Sequence, residues 1–447
     1  MKKRVVIIGG GFAGLAASVE LASSGHHVTI IEQRRYLGGR AYSFFDRNIG
    51  IELDNGQHIM MGCYENTFRF LKTIGAIDKL NIQNDLHVDF IDNTGQAYRL
   101  NCPPFPAPFH AALGVLGFNA VSLINRFRMM NVTRDVLFDN TIDPSDECTV
   151  NEWLNRLRQG KESYDIFWRA LTLAIMNESP DIASASLFKN VLRKALFTDR
   201  KASRIVLPAA PLSRLYADNY EEYIKQHGGT IERGCPASEL MIEDDTVTGI
   251  KLRDGRMLRG DYYIIAVPYY SLQRLLTEDI MSKYNTCFSG IRELKSSPIL
   301  SVHLLFDKAI TDYPFASLIN SPVQWVFNKE IIYNDKAYRG LITIVISGAH
   351  NYITWNGDRL IDMALSELKR RFPEARSAKL LYARTIKERF ATFSSRPGVQ
   401  RYRPGQKTPI KNLFLAGDWT DTGLPATIEG AVLSGYRCAE MIIKSNI

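Results

Sequence analysis

No run in this 447-residue chain approaches the roughly 20 consecutive apolar residues that a membrane-spanning helix needs, which excludes a helical integral membrane protein. Cysteine is scarce. The six residues stand alone at 63, 102, 148, 235, 287 and 438, with no CxxC pair, so neither a zinc site nor a disulfide framework is expected, and no metal. A reducing, cytoplasmic setting is the expectation that follows. There is also no compact block of lysine and arginine and no nucleic-acid motif. The formal charge of +8 therefore predicts a solvated basic surface or an affinity for anionic lipid rather than for nucleic acid. Internal repeats and low-complexity tracts are lacking. Lys2, Lys3 and Arg4 before an apolar stretch ending in Ala16 and Ala17 imitate a secretory signal, but Gly9, Gly10, Gly11 and Gly14 interrupt its helical core, so the start is read as mature structure.

A chain this long exceeds what one core usually holds, and two intertwined domains are expected. Residues 5–8 are a short β-branched run, residues 15–24 a helix stopped by Gly25, and residues 28–31 a second strand closed by Glu32. This β-α-β pattern starts a parallel sheet. Residues 102–109, CPPFPAPF, exclude a regular element because proline fixes φ and removes donors. An apolar stretch over 111–130 follows, with helical patterns continuing to about residue 200. A helix at 212–225 then precedes short strands at 230–231, 239–242, 247–252, 257–258 and 263–267. Residues 298–306 alternate like a strand with one wet face; 342–346 and 380–384 look similar, and a strand at 413–415 leads to a helix at 428–443.

Gly9-x-Gly11-x-x-Gly14 falls between the first strand and helix, with Glu32 ending the next strand. Gly9 suits the tight turn, Gly11 lets a pyrophosphate approach bare backbone, and Gly14 lets helix and strand pack closely. The helix N-terminus favours phosphate charge, and Glu32 is placed to accept from a ribose. Two further segments choose FAD over NAD. RRYLGGR at 34–40 lets Gly38 and Gly39 bring a second backbone stretch to the pyrophosphate. At the far end Gly417-Asp418 and Thr427-Ile428 supply an acid for ribityl hydroxyls and a helix N-terminus for the N1/O2 edge of a reduced flavin.

The pattern GGGFAGLAA…E…LGGR…AGD…IEGA resembles the FAD-dependent amine oxidase and phytoene desaturase superfamily. A closer likeness is to the hydroxysqualene dehydroxylases of hopanoid synthesis, carried by LDNGQHIMMGCYENTFRFLKTIG (53–75), SPVQWVFNK (321–329) and NLFLAGDWTDTGLPATIEGAVLSGYRCAE (412–440). The resemblance implies an α/β fold: a Rossmann-like FAD-binding domain of the glutathione reductase-like, amine oxidase type from residues 1–75, 205–290 and 395–447, interwoven with an α+β substrate domain from 76–204 and 291–394. It implies that Gly9, Gly11, Gly14 and Glu32 hold ADP, that Gly39 and Arg40 approach pyrophosphate and flavin, and that Asp418 holds the ribityl region beside Gly417. Thr427 and Ile428 would face the pyrimidine edge, Gln57 the flavin, and Ala237 would meet adenine through its backbone. No cysteine or histidine is placed for covalent attachment; Cys438 lies inside the closing helix, so the FAD is non-covalent.

The implied reaction is reductive removal of the hydroxyl of hydroxysqualene to give squalene, with hydride from reduced flavin N5. Asp54 and His58 are the candidate proton donors, Asp54 through a carboxyl kept neutral by burial; an Asp capping a turn and a backbone-bonded core histidine are the structural alternatives. A C30 hydrocarbon needs a dry tunnel, for which Phe105, Phe109, Leu116, Phe118, Trp168 and Trp325 are candidate walls, with plain core packing as the alternative. The proline-rich 102–109 segment and its apolar continuation, with Arg126, Arg128 and Arg134, suit a peripheral contact on the inner membrane face, or else a lid or an internal helix of the substrate domain. The same flavin motifs fit a desaturase of a polyisoprenoid such as phytoene, an amine oxidase, or a non-catalytic flavin-binding or partner-scaffolding protein. They do not identify the electron donor.

Overall fold

The computed structural model describes residues 2–138 and 147–445, and the part of the expected helical region at 139–146 lies outside them. The β-branched run becomes a buried strand, Arg4–Ile8, at the centre of a five-stranded parallel sheet. Its order is Thr230–Arg233, His27–Glu32, Arg4–Ile8, Tyr262–Ile265, Leu413–Leu415. Near-continuous apolar composition is what a sheet covered on both faces demands. The first helix, Phe12–Ser23, and the closing helix, Ile428–Lys444, pack together on one face, with Leu15, Val19, Val432 and Ala439 in one buried cluster. The two ends of the chain therefore meet. An antiparallel meander of Ala237–Glu243, Thr246–Leu252 and Met257–Leu258 leaves this sheet.

A second sheet has seven strands in the order Leu380–Phe393, Ser296–Phe306, Leu341–Ser347, Trp325–Asn328, Phe315–Leu318, His87–Ile91, Ala97–Asn101. All its pairs are antiparallel except Phe315–Leu318 with His87–Ile91. Leu300, Val302, Leu304 and Phe306 face the helix Gly357–Arg371 through Leu360, Ala364 and Leu368. The opposite face corrects one expectation. Ser301 and His303, the polar positions expected to face water, are both buried, because that side lies against the rest of the molecule. The strand expected at 380–384 extends to Phe393, along the whole of its partner. A small sheet of Met60–Met61, Ile205–Pro208 and Leu80–Ile82 joins segments distant in sequence.

Candidate active site

The first strand ends in Gly9, whose φ of +111° is open to glycine alone among ordinary residues, and its N–H bonds Ile31 O at 2.8 Å. A Cβ on Gly14 would lie 2.0 Å from Gly9 O, so packing alone demands glycine there. Gly11 is different: a Cβ there would meet nothing nearer than Gly39 Cα at 3.9 Å. The protein leaves this space empty of its own atoms. No side chain caps the helix Phe12–Ser23, and its first turn carries no acid. Uncapped N–H groups, a positive helix end and a cradle bounded by two glycine-rich loops fit a pyrophosphate.

Glu32 is buried at the end of its strand; Oε2 accepts from Gly10 N at 2.7 Å and Oε1 from Arg34 N at 2.8 Å. Both oxygens keep lone pairs for ribose hydroxyls. The N–H of Cys235 donates to Glu32 O at 3.0 Å, which brings the strand beginning at Ala237 alongside. The 34–40 loop folds over the phosphate turn through Gly38 N to Gly10 O, 2.7 Å. Arg40 then reaches the other end of the chain: Nη2 lies 2.5 Å from Asp418 Oδ1 and Nη1 donates to Ala391 O at 2.8 Å. Burial works against the guanidinium's charge, but Asp418 more than compensates and raises its pKa. Replacing Arg40 with methionine is expected to weaken FAD retention by about tenfold, read by fluorescence titration of apoprotein; unchanged affinity would remove Arg40 from the site.

Gly417 N donates to Ser434 Oγ at 2.8 Å, and Thr427 Oγ1 caps the closing helix by accepting from Gly430 N at 3.0 Å, which sets Ile428 at its first turn. Glu429 turns away from this end. Its carboxylate accepts from the backbone N–H groups of Asn66 and Thr67 and from their side chains, at 2.7 to 3.1 Å. The DNGQH region, through the helix Glu65–Thr73, is thereby fastened to the last motif. An acid two residues into a helix is the sequence signal for such a clamp, but its partner is set by the fold.

Asp54 ends the strand Ile51–Asp54 and is 1% exposed. Oδ1 accepts from Ser43 Oγ at 2.8 Å and Leu212 N at 2.9 Å; Oδ2 accepts from Lys329 Nζ at 2.9 Å and Tyr333 OH at 2.6 Å. Burial alone would raise this carboxyl's pKa, as expected from the sequence. The Lys329 charge and four hydrogen bonds outweigh it and hold the carboxyl below its usual range, so Asp54 is an ion and not a proton donor. His58 changes role as well. Its Nδ1 lies 3.1 Å from Gly56 O, which can only accept, so Nδ1 carries the proton; burial lowers its pKa despite Asp54, leaving the ring neutral.

Lys329 and Tyr333, not singled out from the sequence, are the proton-bearing members. Lys329 is 1% exposed and donates to Asp54, to Gln57 Oε1 at 2.7 Å and to Tyr333 OH at 2.5 Å. Burial pulls its ammonium below the ordinary lysine range, with Asp54 opposing. A single lysine within the largely apolar run 325–333, WVFNKEIIY, was the available signal. Asn55 Nδ2 donates to Arg40 O at 2.8 Å, so this cluster adjoins the 34–40 loop. Ser301 Oγ is buried nearby without a partner in the protein, and burial, against the Asp54 charge and backbone, lowers the neighbouring His303 to a pKa of about 4. A Cβ on Gly56 would come within 2.9 Å of Ser301 Oγ, so the turn and the strand are in contact.

Because Asp54 is depressed relative to an unfolded carboxyl near about 3.9, it stabilises the fold above that value, and the contribution is lost as pH falls through the lower folded pKa. Asp46, held down against its own burial by Tyr382 and Arg384, acts in the same direction. Thermal melts should therefore fall steeply only below about pH 4, and Asp54→Asn should flatten that limb.

Two of the expected tunnel walls lie at the surface instead. Phe105 and Phe109 are 51% and 63% exposed, since they flank and begin a helix whose outer stripe faces away from the protein. Leu116 is half-buried. Phe118, Trp168 and Trp325 do lie in the large buried cluster. Trp168 Nε1 donates to Gln159 Oε1 at 3.0 Å, whereas Trp325 Nε1 is buried without a partner.

Residues 12–443 match the family described as flavin containing amine oxidoreductase. The chain is 28% identical to a 15-cis-phytoene desaturase of Synechococcus elongatus, covering 98% of this chain and 96% of the relative. It is also 28% identical to a hydroxysqualene dehydroxylase of Sinorhizobium fredii, covering 99% of each. An oxidoreductase of Methanosarcina mazei superposes with a TM-score of 0.75 at 18% identity, covering 98% of this chain and 100% of that one, which establishes a shared fold. With a Rossmann-like sheet that joins both ends of the chain and a glycine-rich turn that fits a pyrophosphate, this chain belongs to the flavin-containing amine oxidoreductase family and is an FAD-dependent oxidoreductase.

Proposed function

We propose that this enzyme reductively removes the hydroxyl of hydroxysqualene to give squalene. The observation that carries the reading is the convergence of its two most specific segments: Asp54 and Gln57 of DNGQH share one buried lysine, Lys329 of SPVQWVFNK. Reduced FAD, when bound, supplies the hydride. Residues 1–75, 205–290 and 395–447 hold the cofactor, with Gly9, Gly11, Gly14, Glu32, Gly39, Arg40, Ala237, Gly417, Asp418, Thr427 and Ile428 lining it. Residues 76–204 and 291–394 form the substrate side.

An allylic hydroxyl departs as water only if it gains a proton. Lys329, a stronger acid than free lysine, is that proton's store, with Tyr333 bridging it to Asp54. Asp54 keeps the charge pair balanced and fixes the turn that carries Gln57. Buried aromatic residues, Trp168 and Trp325 among them, exclude the water that would recapture an allylic cation.

A second reading, desaturation of a polyisoprenoid, is favoured by the equal identity to phytoene desaturase. Anaerobic mixing of photoreduced holoenzyme with hydroxysqualene separates the two. Squalene with stoichiometric flavin oxidation supports dehydroxylation. Failure there, with new double bonds when oxidised enzyme meets phytoene, replaces it by desaturation.

A further inference from the structure

Of the fourteen large apolar side chains exposed among the described residues, seven lie between positions 105 and 138, so the exposure is local and not a general property of the surface. Phe105, Phe109 and Leu113 follow at intervals of four, along one stripe leading into and along the helix Phe109–Gly117. The next helix, Leu123–Phe138, is apolar on two sides. Met129, Val132 and Val136 bury the inner stripe, while Leu123, Ile124 and Phe127 point outward, the last two 68% and 60% exposed. A helix meant for water carries polar residues there.

The two helices are held as one unit. Arg126 Nε donates to Val121 O at 2.6 Å and Nη1 to Leu116 O at 3.0 Å, across the connection between them. Arg126 is thus occupied in shaping the patch and is not its charged rim, contrary to the expectation from sequence. Arg128 and Arg134 are exposed on the outer side of the second helix.

We propose that this helix pair docks in the plane of a bilayer bearing anionic lipid, with Phe109, Leu113, Ile124 and Phe127 at the acyl boundary and Arg128 and Arg134 among headgroup phosphates. No described helix is long and apolar enough to cross a membrane, so the contact is interfacial. Charge selects lipid over a second copy of the chain. A two-fold contact through this stripe would place the arginines of one copy close to those of the other, whereas an anionic leaflet neutralises them. The proposal does not depend on which isoprenoid is turned over.

The test is flotation of the FAD-loaded full chain with vesicles of phosphatidylcholine alone or with phosphatidylglycerol. Wild type should float with the anionic vesicles. Ile124→Glu with Phe127→Glu should lower the bound fraction by about tenfold or more. Arg128→Gln with Arg134→Gln, surface changes that leave the apolar stripe intact, should lower it by about tenfold on anionic vesicles only. Flavin absorbance and turnover of detergent-dispersed substrate serve as folding controls and should match wild type in both. The proposal is overturned if wild type stays unbound at low salt, if both variants float like wild type, or if the stripe instead drives self-association that Ile124→Glu with Phe127→Glu abolishes.

Discussion

Lys329→Met is expected to slow flavin reoxidation by hydroxysqualene, followed in single turnover, by on the order of 10²- to 10³-fold. The same change should cost about 3–5 kcal/mol of stability, because it strands the Asp54 carboxylate in an apolar interior with one charge unanswered. The two effects are separable. Adding Asp54→Asn removes the stranded charge, so the double variant should regain most of the melting temperature while remaining slow. Recovery of both together would mean that Lys329 acts only as a structural counter-ion. Tyr333→Phe should sit between: it removes one donor to Asp54 and one acceptor from Lys329 but leaves the charges balanced.

Gly11→Val is expected to leave the apoprotein folded and to weaken FAD binding by on the order of 100-fold or more, since its methyl groups would stand where a pyrophosphate must approach backbone. The backbone tolerates it, with φ of −80° and ψ of 172° in the ordinary extended region, and its Cβ meets no protein atom closer than 3.9 Å. Gly14→Ala is the contrasting case. Its Cβ would press on Gly9 O, a backbone atom with nowhere to move, so this variant should lose soluble yield before cofactor affinity can be compared. Absorbance of the purified proteins and thermal melts of the apo forms give the answer. A yellow Gly11→Val protein with wild-type affinity would show that the cradle is not the phosphate site.

The contrast between these two glycines shows why part of the site is visible in sequence. GxGxxG, the acid closing the second strand and LGGR depend on backbone and local spacing, so the local geometry at residues near 9, 32 and 39 follows wherever that strand-turn-helix forms. LGGR leads to the expectation of Arg40 near the flavin, but its contact with Asp418 joins positions 378 apart, and no local pattern contains that distance. The strands Ser43–Asp46, Phe315–Leu318 and Trp325–Asn328 were not foreseen. Four-residue strands offer too few positions for an alternation to stand out, and their neighbours in the sheet supply the order.

Asp54 marks the boundary most clearly. Burial of an acid was expected, and on burial alone the expectation of a neutral carboxyl was sound. Its ionisation is decided by Lys329, 275 residues away, together with Ser43, Tyr333 and the Leu212 N–H. By itself the sequence determined the β-α-β unit with its glycine turn and closing acid, because glycine sterics and helix-end charge operate over a few residues, while its motifs at both ends carried the resemblance to the family. Only tertiary structure decided which groups hold a proton and which apolar residues face outward. Charge state and exposure depend on every neighbour within a few ångströms, and folding draws those neighbours from the whole length of the chain.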